Sequence, residues 1–380
     1  MTDLGGRHVP RKPPPPILVT ILTGFLGAGK TTLLNKLLAA PELSDTVVLI
    51  NEFGEIGLDH LLVENVEGDM LIMSSGCLCC TIRGDLIATL EDVLRRRDNN
   101  RITPFRRVVI ETTGLADPAP MLQTVLAHPY LVLRYRIDGV VTLVDAVNGE
   151  VTLDAHIEAV KQAAVADRIV ITKTDLLSDD EDRLSALRTR LEALNPTARA
   201  IIAQDGEADA AALLKCGPYD PSGKIADVSA WLNAEALTDA PSHHHEHAHD
   251  PNRHDASIRA FCLTAADPIS PAAFDAFITM LQQAQGPKLL RVKGIIGLSD
   301  HPSRPIVVHG VQHVFHPPVR LERWPDGDHR TRLIFIVKDL SQEFVERFFT
   351  AATGGIGVDA PDLAAERGNP LAIRSGGLLA

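Results

Sequence analysis

A glycine-rich segment directly after a short apolar run constrains this chain more than any other feature. The apolar run covers residues 17–22, the segment reads GFLGAGKTT over residues 24–32, and good helix formers follow it. Glycines allow backbone N–H groups to turn inward around an anion, and a helix N-terminus adds its positive dipole end. The order of strand, loop and helix predicts a phosphate-binding loop. Its predicted nucleotide contacts are Gly24, Gly27, Ala28, Gly29, Lys30, Thr31 and Thr32.

Two side chains of this loop are predicted to take part in catalysis. Lys30 should reach the β- and γ-phosphates of a nucleotide, and the hydroxyl of Thr31 should bind Mg²⁺. The alternative interpretation is a glycine-rich turn that binds nothing. The flanking strand and helix argue against that alternative.

A second predicted element is the tetrapeptide ETTG, residues 111–114, at the end of a strand predicted for residues 107–110. Glu111 should lie beside Mg²⁺ and its waters as a third catalytic residue, and the Gly114 amide should contact the γ-phosphate. Leu115 follows, where many regulatory GTPases have a glutamine that orients water. The catalytic polar group must come from elsewhere, with the acidic segment 51–59 as one source, and slow turnover is expected.

The base is predicted to be read by TKTD, residues 172–175, again at a strand end. The carboxylate of Asp175 can accept two hydrogen bonds from guanine, whereas adenine presents an acceptor there. Lys173 can lay its stem along the base, and Thr172 precedes it in the motif. Short [ST]-K-x-D strings also occur in ordinary exposed turns, which is the alternative.

Three cysteines, Cys77, Cys79 and Cys80, lie between the acidic segment and Glu111. Such thiolates can bind Zn²⁺ or Cu(I), and no second Cys or His pair of suitable spacing is nearby, so the site looks open. Buried thiols and a redox pair are the alternatives. Cys216 and Cys262 are isolated and receive no role.

A histidine run interrupts the chain inside a predicted linker, residues 219–257. Neutral imidazoles on such a segment bind Zn²⁺, Co²⁺ or Ni²⁺ loosely, and a merely soluble linker is the equally open alternative. The candidate ligands are His243, His244, His245, His247 and His249.

Strand-like and helical stretches alternate from residue 17 to about residue 202, which predicts an α/β domain with a mostly parallel sheet flanked by helices. Strands grouped between two helices after residue 258 predict a smaller C-terminal α+β domain. The predicted division is a flexible arm (1–16), a P-loop domain (17–218), the linker (219–257), the C-terminal domain (258–352) and a flexible tail (353–380).

Composition limits the partners. Lys and Arg number 37 against 49 Asp and Glu, a formal net charge of −12, which argues against nucleic acid and anionic membranes. The first apolar run is too short to span a bilayer, and no secretory signal is evident, so a cytoplasmic location is expected.

Taken together, these motifs resemble the CobW family of metal-handling GTPases, in the SIMIBI class of P-loop proteins. The resemblance covers most of residues 17–350. The matching strings are TGFLGAGKTTLL (23–34), NEFGEIG (51–57), GCLCC (76–80), ETTGLADP (111–118), TKTD (172–175), LLRVKGII (289–296) and HGVQHVFHPP (309–318).

The resemblance implies GTP hydrolysis coupled to metal transfer, with zinc in one branch and cobalt for cobalamin synthesis in another. It also implies that the three cysteines hold the ion beside the switch loops. Some relatives carry an acidic residue just before the NEFG string, where this chain has Ile50. A fourth ligand would then come from Glu52, Glu55, water or a client protein.

The sequence is therefore interpreted as a GTP-dependent metallochaperone that uses Mg²⁺ with GTP and carries Zn²⁺, or else Co²⁺. Its expected partners are GTP, GDP and a client metalloprotein, and a homo-oligomer is left open. A nucleotide-gated metal store and a GTPase assembly factor with structural cysteines are the alternatives.

Overall fold

The computed structural model describes residues 14–38, 40–50, 64–66, 70–74, 82–177, 180–204, 208–214 and 257–354. The three cysteines of the predicted metal site, the acidic segment 51–59 and the histidine run lie outside these residues. Within the described part of the chain, no helix combines the length and apolarity needed to cross a bilayer.

The N-terminal part is an α/β unit built on one eight-stranded sheet. Its strands are β1 Ile17–Gly24, β2 Thr46–Ile50, β3 Glu64–Val66, β4 Met70–Ser74, β5 Arg107–Glu111, β6 Tyr135–Asp145, β7 Arg168–Thr172 and β8 Arg199–Ile202. Its helices are α1 Lys30–Leu38, α2 Ile82–Asp98, α3 Ala119–Ala127, α4 Leu131–Arg134, α5 Gly149–Ala155, α6 Ile157–Ala164, α7 Glu181–Leu194 and α8 Ala210–Leu213.

The strand order is β3-β4-β2-β5-β1-β6-β7-β8, and every neighbouring pair except β3–β4 is parallel. Strands β5 and β7 are buried along their full length, as expected for a parallel sheet covered on both faces. Successive residues of β1 alternate between these faces: Ile21 joins one apolar cluster and Leu22 joins the other. The predicted parallel sheet flanked by helices is confirmed.

The register brings the predicted motifs to one edge of the sheet. Leu22 of β1 pairs with Glu111 of β5, and Asp145 of β6 pairs with Thr172 of β7. Since all three motifs follow parallel strands, their loops emerge at the carboxyl edge, where ligands bind in open α/β sheets.

The C-terminal part is an antiparallel sheet with two helices on one face. Its strands are β9 Ile258–Ala265, β10 Leu289–Ile296, β11 Ile306–Val311, β12 Val314–Phe315, β13 Val319–Arg320 and β14 Thr331–Lys338, and its helices are α9 Pro271–Gln285 and α10 Gln342–Thr353. Both helices begin with a serine cap: Ser270 accepts a hydrogen bond from Ala273 N, and Ser341 accepts one from Phe344 N. The predicted α+β domain is confirmed.

The opposite face of this sheet packs on the N-terminal unit. Ile258, Leu290, Val311 and Ile336 belong to the same apolar cluster as the core of the N-terminal sheet. The two parts therefore share one continuous hydrophobic core.

A buried charge cluster accompanies that shared core. Asp167, directly before β7, forms ion pairs with Arg291 and, at 2.9 Å, with the Nζ of Lys293, both on β10. The Asp167 carboxylate also accepts a hydrogen bond from Val140 N at 2.9 Å. Burial alone would raise the pKa of Asp167, but the two cations outweigh it and hold the pKa well below its usual value.

Several elements were not predicted from the sequence. Strand β3 has three residues, and helices α5 and α6 have only seven and eight, so their patterns are too brief to recognise. Strand β4 has five residues, as many as the predicted strand β2, and was missed despite that length. Strand β11 begins at Ile306 and not at Pro305, because Pro305 has no N–H for the sheet ladder.

Candidate active site

The glycine-rich loop adopts the backbone conformation that its sequence requires. Gly24, Gly27 and Gly29 have φ angles of 145°, 73° and 90°, which disfavour residues with a side chain. Gly24 is also crowded, since a Cβ there would lie 2.6 Å from the carbonyl oxygen of Leu143 on β6. Helix α1 then begins at Lys30, so its first N–H groups lie at the end of the loop.

The side chain of Lys30 folds back over this loop. Its Nζ donates hydrogen bonds to the carbonyl oxygens of Gly24 and Phe25, at 3.0 and 3.2 Å, and the residue is buried. The ammonium group is thereby held inside the turn of the loop. Thr32, the last residue of the predicted set, is exposed.

The predicted pair around Mg²⁺ is brought together although its members are 80 residues apart. Thr31 Oγ1 donates a hydrogen bond to Glu111 Oε1 at 3.2 Å, and Glu111 is fully buried at the end of β5. A hydroxyl and a carboxylate oxygen are the ligand types that a hard divalent cation prefers. The residues present therefore fit a Mg²⁺ site.

The loop after Glu111 is packed directly on the phosphate loop. A Cβ on Gly114 would lie 2.6 Å from the backbone nitrogen of Leu26, so only glycine fits there. Thr112 Oγ1 donates to Thr23 Oγ1 at 2.8 Å and ties the start of this loop to β1. Leu115 is 54% exposed, with no hydrogen-bonding group on its side chain.

Residues 172–175 begin at the end of β7 and contact the same loop. Thr172 Oγ1 donates to the carbonyl oxygen of Ala28 at 2.9 Å, and Lys173 has a φ of 59° and pairs with Asp145 at 2.8 Å. Burial would raise the pKa of Asp145, but hydrogen bonds from Lys173, Asn148 and a backbone amide lower it overall. Asp175 itself is exposed.

One residue of this region was missed from the sequence. Gln204, just beyond β8, donates from Nε2 to Asp175 Oδ1 at 2.6 Å and accepts from Thr174 Oγ1 at 2.9 Å. It fixes the orientation of the Asp175 carboxylate. Its only sequence signal is a polar residue at the end of the last parallel strand.

Cys77, Cys79, Cys80 and the histidines at 243–245, 247 and 249 lie outside the described residues. Across the described ranges, no three His, Cys, Asp or Glu side chains cluster closely enough to hold a metal ion.

Comparison with known proteins agrees with this arrangement. Residues 18–202 match the sequence model of the CobW/HypB/UreG nucleotide-binding domain, and residues 258–353 match that of the cobalamin synthesis protein cobW C-terminal domain. The zinc chaperone YjiA of Escherichia coli is 31% identical, over 88% of this chain and 98% of its own length. Zinc-regulated GTPase metalloprotein activator 1 of Schizosaccharomyces pombe is 37% identical over 51% of this chain and 47% of its own.

Among solved structures, the Zn(II)-bound YjiA GTPase from E. coli superposes with a TM-score of 0.65. The two chains are 28% identical, and the match covers 89% of this chain and 99% of the other. Because the likeness extends through both halves of the molecule, the chain belongs to the CobW family and is a P-loop GTPase.

Proposed function

We propose that this GTPase is a metallochaperone that binds a divalent metal, zinc above all, at Cys77, Cys79 and Cys80 and passes it to a client protein under control of GTP. One observation carries the proposal. Strand β4 ends at Ser74, which pairs with Ile50 of β2, and Ile50 pairs with Glu111 of β5. Ser74 is thus two strand spacings, about 10 Å, from Glu111.

Cys77 follows Ser74 by three residues, a reach of at most about 11 Å. Strand β4 therefore ends at the same sheet edge as the proposed magnesium and phosphate site, and Cys77 lies within that reach of its last residue. A metal held there would be close enough for its binding to depend on the γ-phosphate. The names of the relatives, zinc chaperone and zinc-regulated metalloprotein activator, support zinc as the cargo.

In the proposed reaction, water attacks the γ-phosphate in line, and the protein contributes position and charge. Lys30 contacts the β- and γ-phosphates. Thr31 and Glu111 would hold Mg²⁺, and the bound ion would neutralise negative charge on the phosphate oxygens. The Gly114 amide contacts the γ-phosphate, and these contacts are broken when phosphate leaves.

Asp175 accepts the two guanine donors, and Lys173 lies along the base. The contact between Gln204 and Asp175 supports this role, because a carboxylate held in place loses less entropy on binding. Leu115 has no group that can orient water, which supports slow intrinsic turnover.

The test is a metal competition titration in the presence of GDP and of a non-hydrolysable GTP analogue. Zn²⁺ affinity should differ between the two nucleotide states by roughly 5- to 150-fold, the range of typical allosteric coupling. Replacing Cys79 and Cys80 together by serine should abolish tight Zn²⁺ binding and leave GTP binding intact. Equal Zn²⁺ affinity in both states would contradict the chaperone mechanism and favour a passive metal site. If activation of a client apoprotein depends on GTP hydrolysis, the protein is a metallochaperone and not a metal store.

A further inference from the structure

Helix α6 lies beside the loop that contains Gly114. Gln162, on this helix, donates two hydrogen bonds from Nε2, to the carbonyl oxygen of Gly114 at 3.1 Å and to that of Ala116 at 2.9 Å. The side chain is only 1% exposed. One buried amide thus binds two carbonyl oxygens of a loop that is 46 to 48 residues away in sequence.

The orientation of this amide is determined by chemistry. Both neighbours are carbonyl oxygens, so the NH₂ group must face them. The other end, Oε1, is buried without a hydrogen-bond partner among the described residues. Gln162 is also one of the residues that line a cavity of about 200 Å³, together with Phe25 of the phosphate loop and Thr142.

The loop needs such a contact because of Gly114 itself. Its position against Leu26 excludes any side chain, and glycine has the greatest backbone freedom of all residues. Thr112 holds the start of the loop, and an ion pair of 3.3 Å between Lys161 on α6 and Asp117 holds its end. Between them, Gln162 restrains the peptide that follows Gly114.

We propose that Gln162 is a positioning residue for GTP hydrolysis: by holding the carbonyls of Gly114 and Ala116 while Thr112 holds the start of the loop, it limits the movement of Gly114 and keeps its amide facing the γ-phosphate. This inference rests on the proposed role of Gly114. GDP has no γ-phosphate, so a loss of this restraint should weaken contact with GTP and leave contact with GDP unchanged. A purely structural glutamine would affect both nucleotides equally.

The test variant is Gln162→Met, which keeps the length and volume of the side chain and removes both donated hydrogen bonds. Because two neutral hydrogen bonds are lost, we expect the affinity for a non-hydrolysable GTP analogue to fall about tenfold. The kcat for GTP should fall by a similar factor, and GDP affinity should change less than about twofold. Calorimetric titration and phosphate release measure these quantities.

The matched control is Thr142→Val. Thr142 Oγ1 donates to the backbone carbonyl of the same Gln162 at 2.8 Å, so this variant loosens α6 without touching the loop. It should lower the melting temperature and leave the ratio of GTP-analogue to GDP affinity unchanged. If the Met variant does not fold, Gln162→Leu replaces it, since leucine is smaller, uncharged and has no donor.

A folded Gln162 variant with the wild-type affinity ratio and kcat would overturn the inference, and so would an equal loss for both nucleotides. These results differ from a failure of the proposed function. If the proposed role of Gly114 fails, the γ-phosphate would contribute nothing to the affinity of the wild-type protein itself for the GTP analogue compared with GDP.

Discussion

An acidic residue lies at each end of strand β7, and the two residues differ in their burial and in the partners of their carboxylates. At the amino end, Asp167 is buried between Val140, Arg291 and Lys293. At the carboxyl end, Asp175 is exposed and is held by Gln204. Removing one partner of a buried charge pair strongly destabilises the fold, whereas an exposed carboxylate held in place is available to a ligand. Four predictions test this difference.

The largest effect is expected at the buried end. Asp167→Asn leaves two buried cations without their counter-charge, which should destabilise the protein by about 3–5 kcal/mol. Urea unfolding, followed by circular dichroism, measures the change. The control is Asp98→Asn, because Asp98 pairs with Arg134 at the surface at 2.8 Å, where a pair contributes about 1 kcal/mol or less. Similar losses in the two variants would show that the buried cluster contributes no more than a surface pair.

A pH effect of similar size is expected from His316, which is buried close to this cluster. Burial and, next, the positive charge of Arg291 lower its pKa to about 4, and Asp167 opposes them only partly. In the unfolded chain this histidine has an ordinary pKa of about 6.5 and binds the proton more readily. The contribution of neutral His316 to the free energy of unfolding is therefore fully present above about pH 6.5. It should be lost as the pH falls towards 4, by about 3 kcal/mol.

Urea midpoints at pH 7.5 and 4.5 measure this loss, and His316→Gln should reduce it. His309 has a pKa lowered in the same direction by burial and by Lys293, so part of the pH dependence should persist in the variant. A free energy of unfolding that is constant over this pH range would mean that His316 has nearly the same pKa in the folded protein as in the unfolded chain.

At the exposed end, the expected effect is on binding. Asp175→Ala removes the hydrogen bonds from guanine to a charged acceptor and should weaken GTP binding by roughly a hundredfold. The melting temperature without nucleotide should hardly change, because the side chain is exposed. Calorimetric titration of the wild-type protein and of the variant with GTP and with ATP measures these affinities. Equal affinity of the wild-type protein for ATP and GTP would refute the assignment of guanine.

The smallest effect is expected for Gln204→Ala, which frees Asp175 without removing it. GTP affinity should fall by about three- to tenfold, the value of one hydrogen bond. The control is Arg183→Ala on α7, since Arg183 contacts the carbonyl of Val147 at the surface and not Asp175. A Gln204 variant as weak as Asp175→Ala would mean that Gln204 itself contacts the base.

The difference between the two ends also explains what the sequence could reveal. Lys30, Thr31, Glu111 and Asp175 follow strands in short motifs, and parallel strands bring such ends to one edge. Their proximity could therefore be predicted without the structure, as the contact between Thr31 and Glu111 illustrates.

Gln162 and Asp167 could not be predicted in this way. They lie in an alanine-rich segment, and the partners of their side chains are 27 to 126 residues distant. Strand β10 did contain a signal: Arg291 and Lys293 stand in a strand that is buried throughout, and buried cations require a buried acid. Which acidic residue pairs with these two cations depends on tertiary packing alone.

The core shared by the two parts has a consequence for biosynthesis. Sequence comparison separates the chain into two modules, yet Ile258, Leu290, Val311 and Ile336 complete the apolar layer of the first module. A nascent chain that has emerged only through β8 would expose that layer to water and leave Asp167 without its cations. Such intermediates are prone to aggregation, so we expect final folding of the nucleotide-binding module to wait until translation has passed β14.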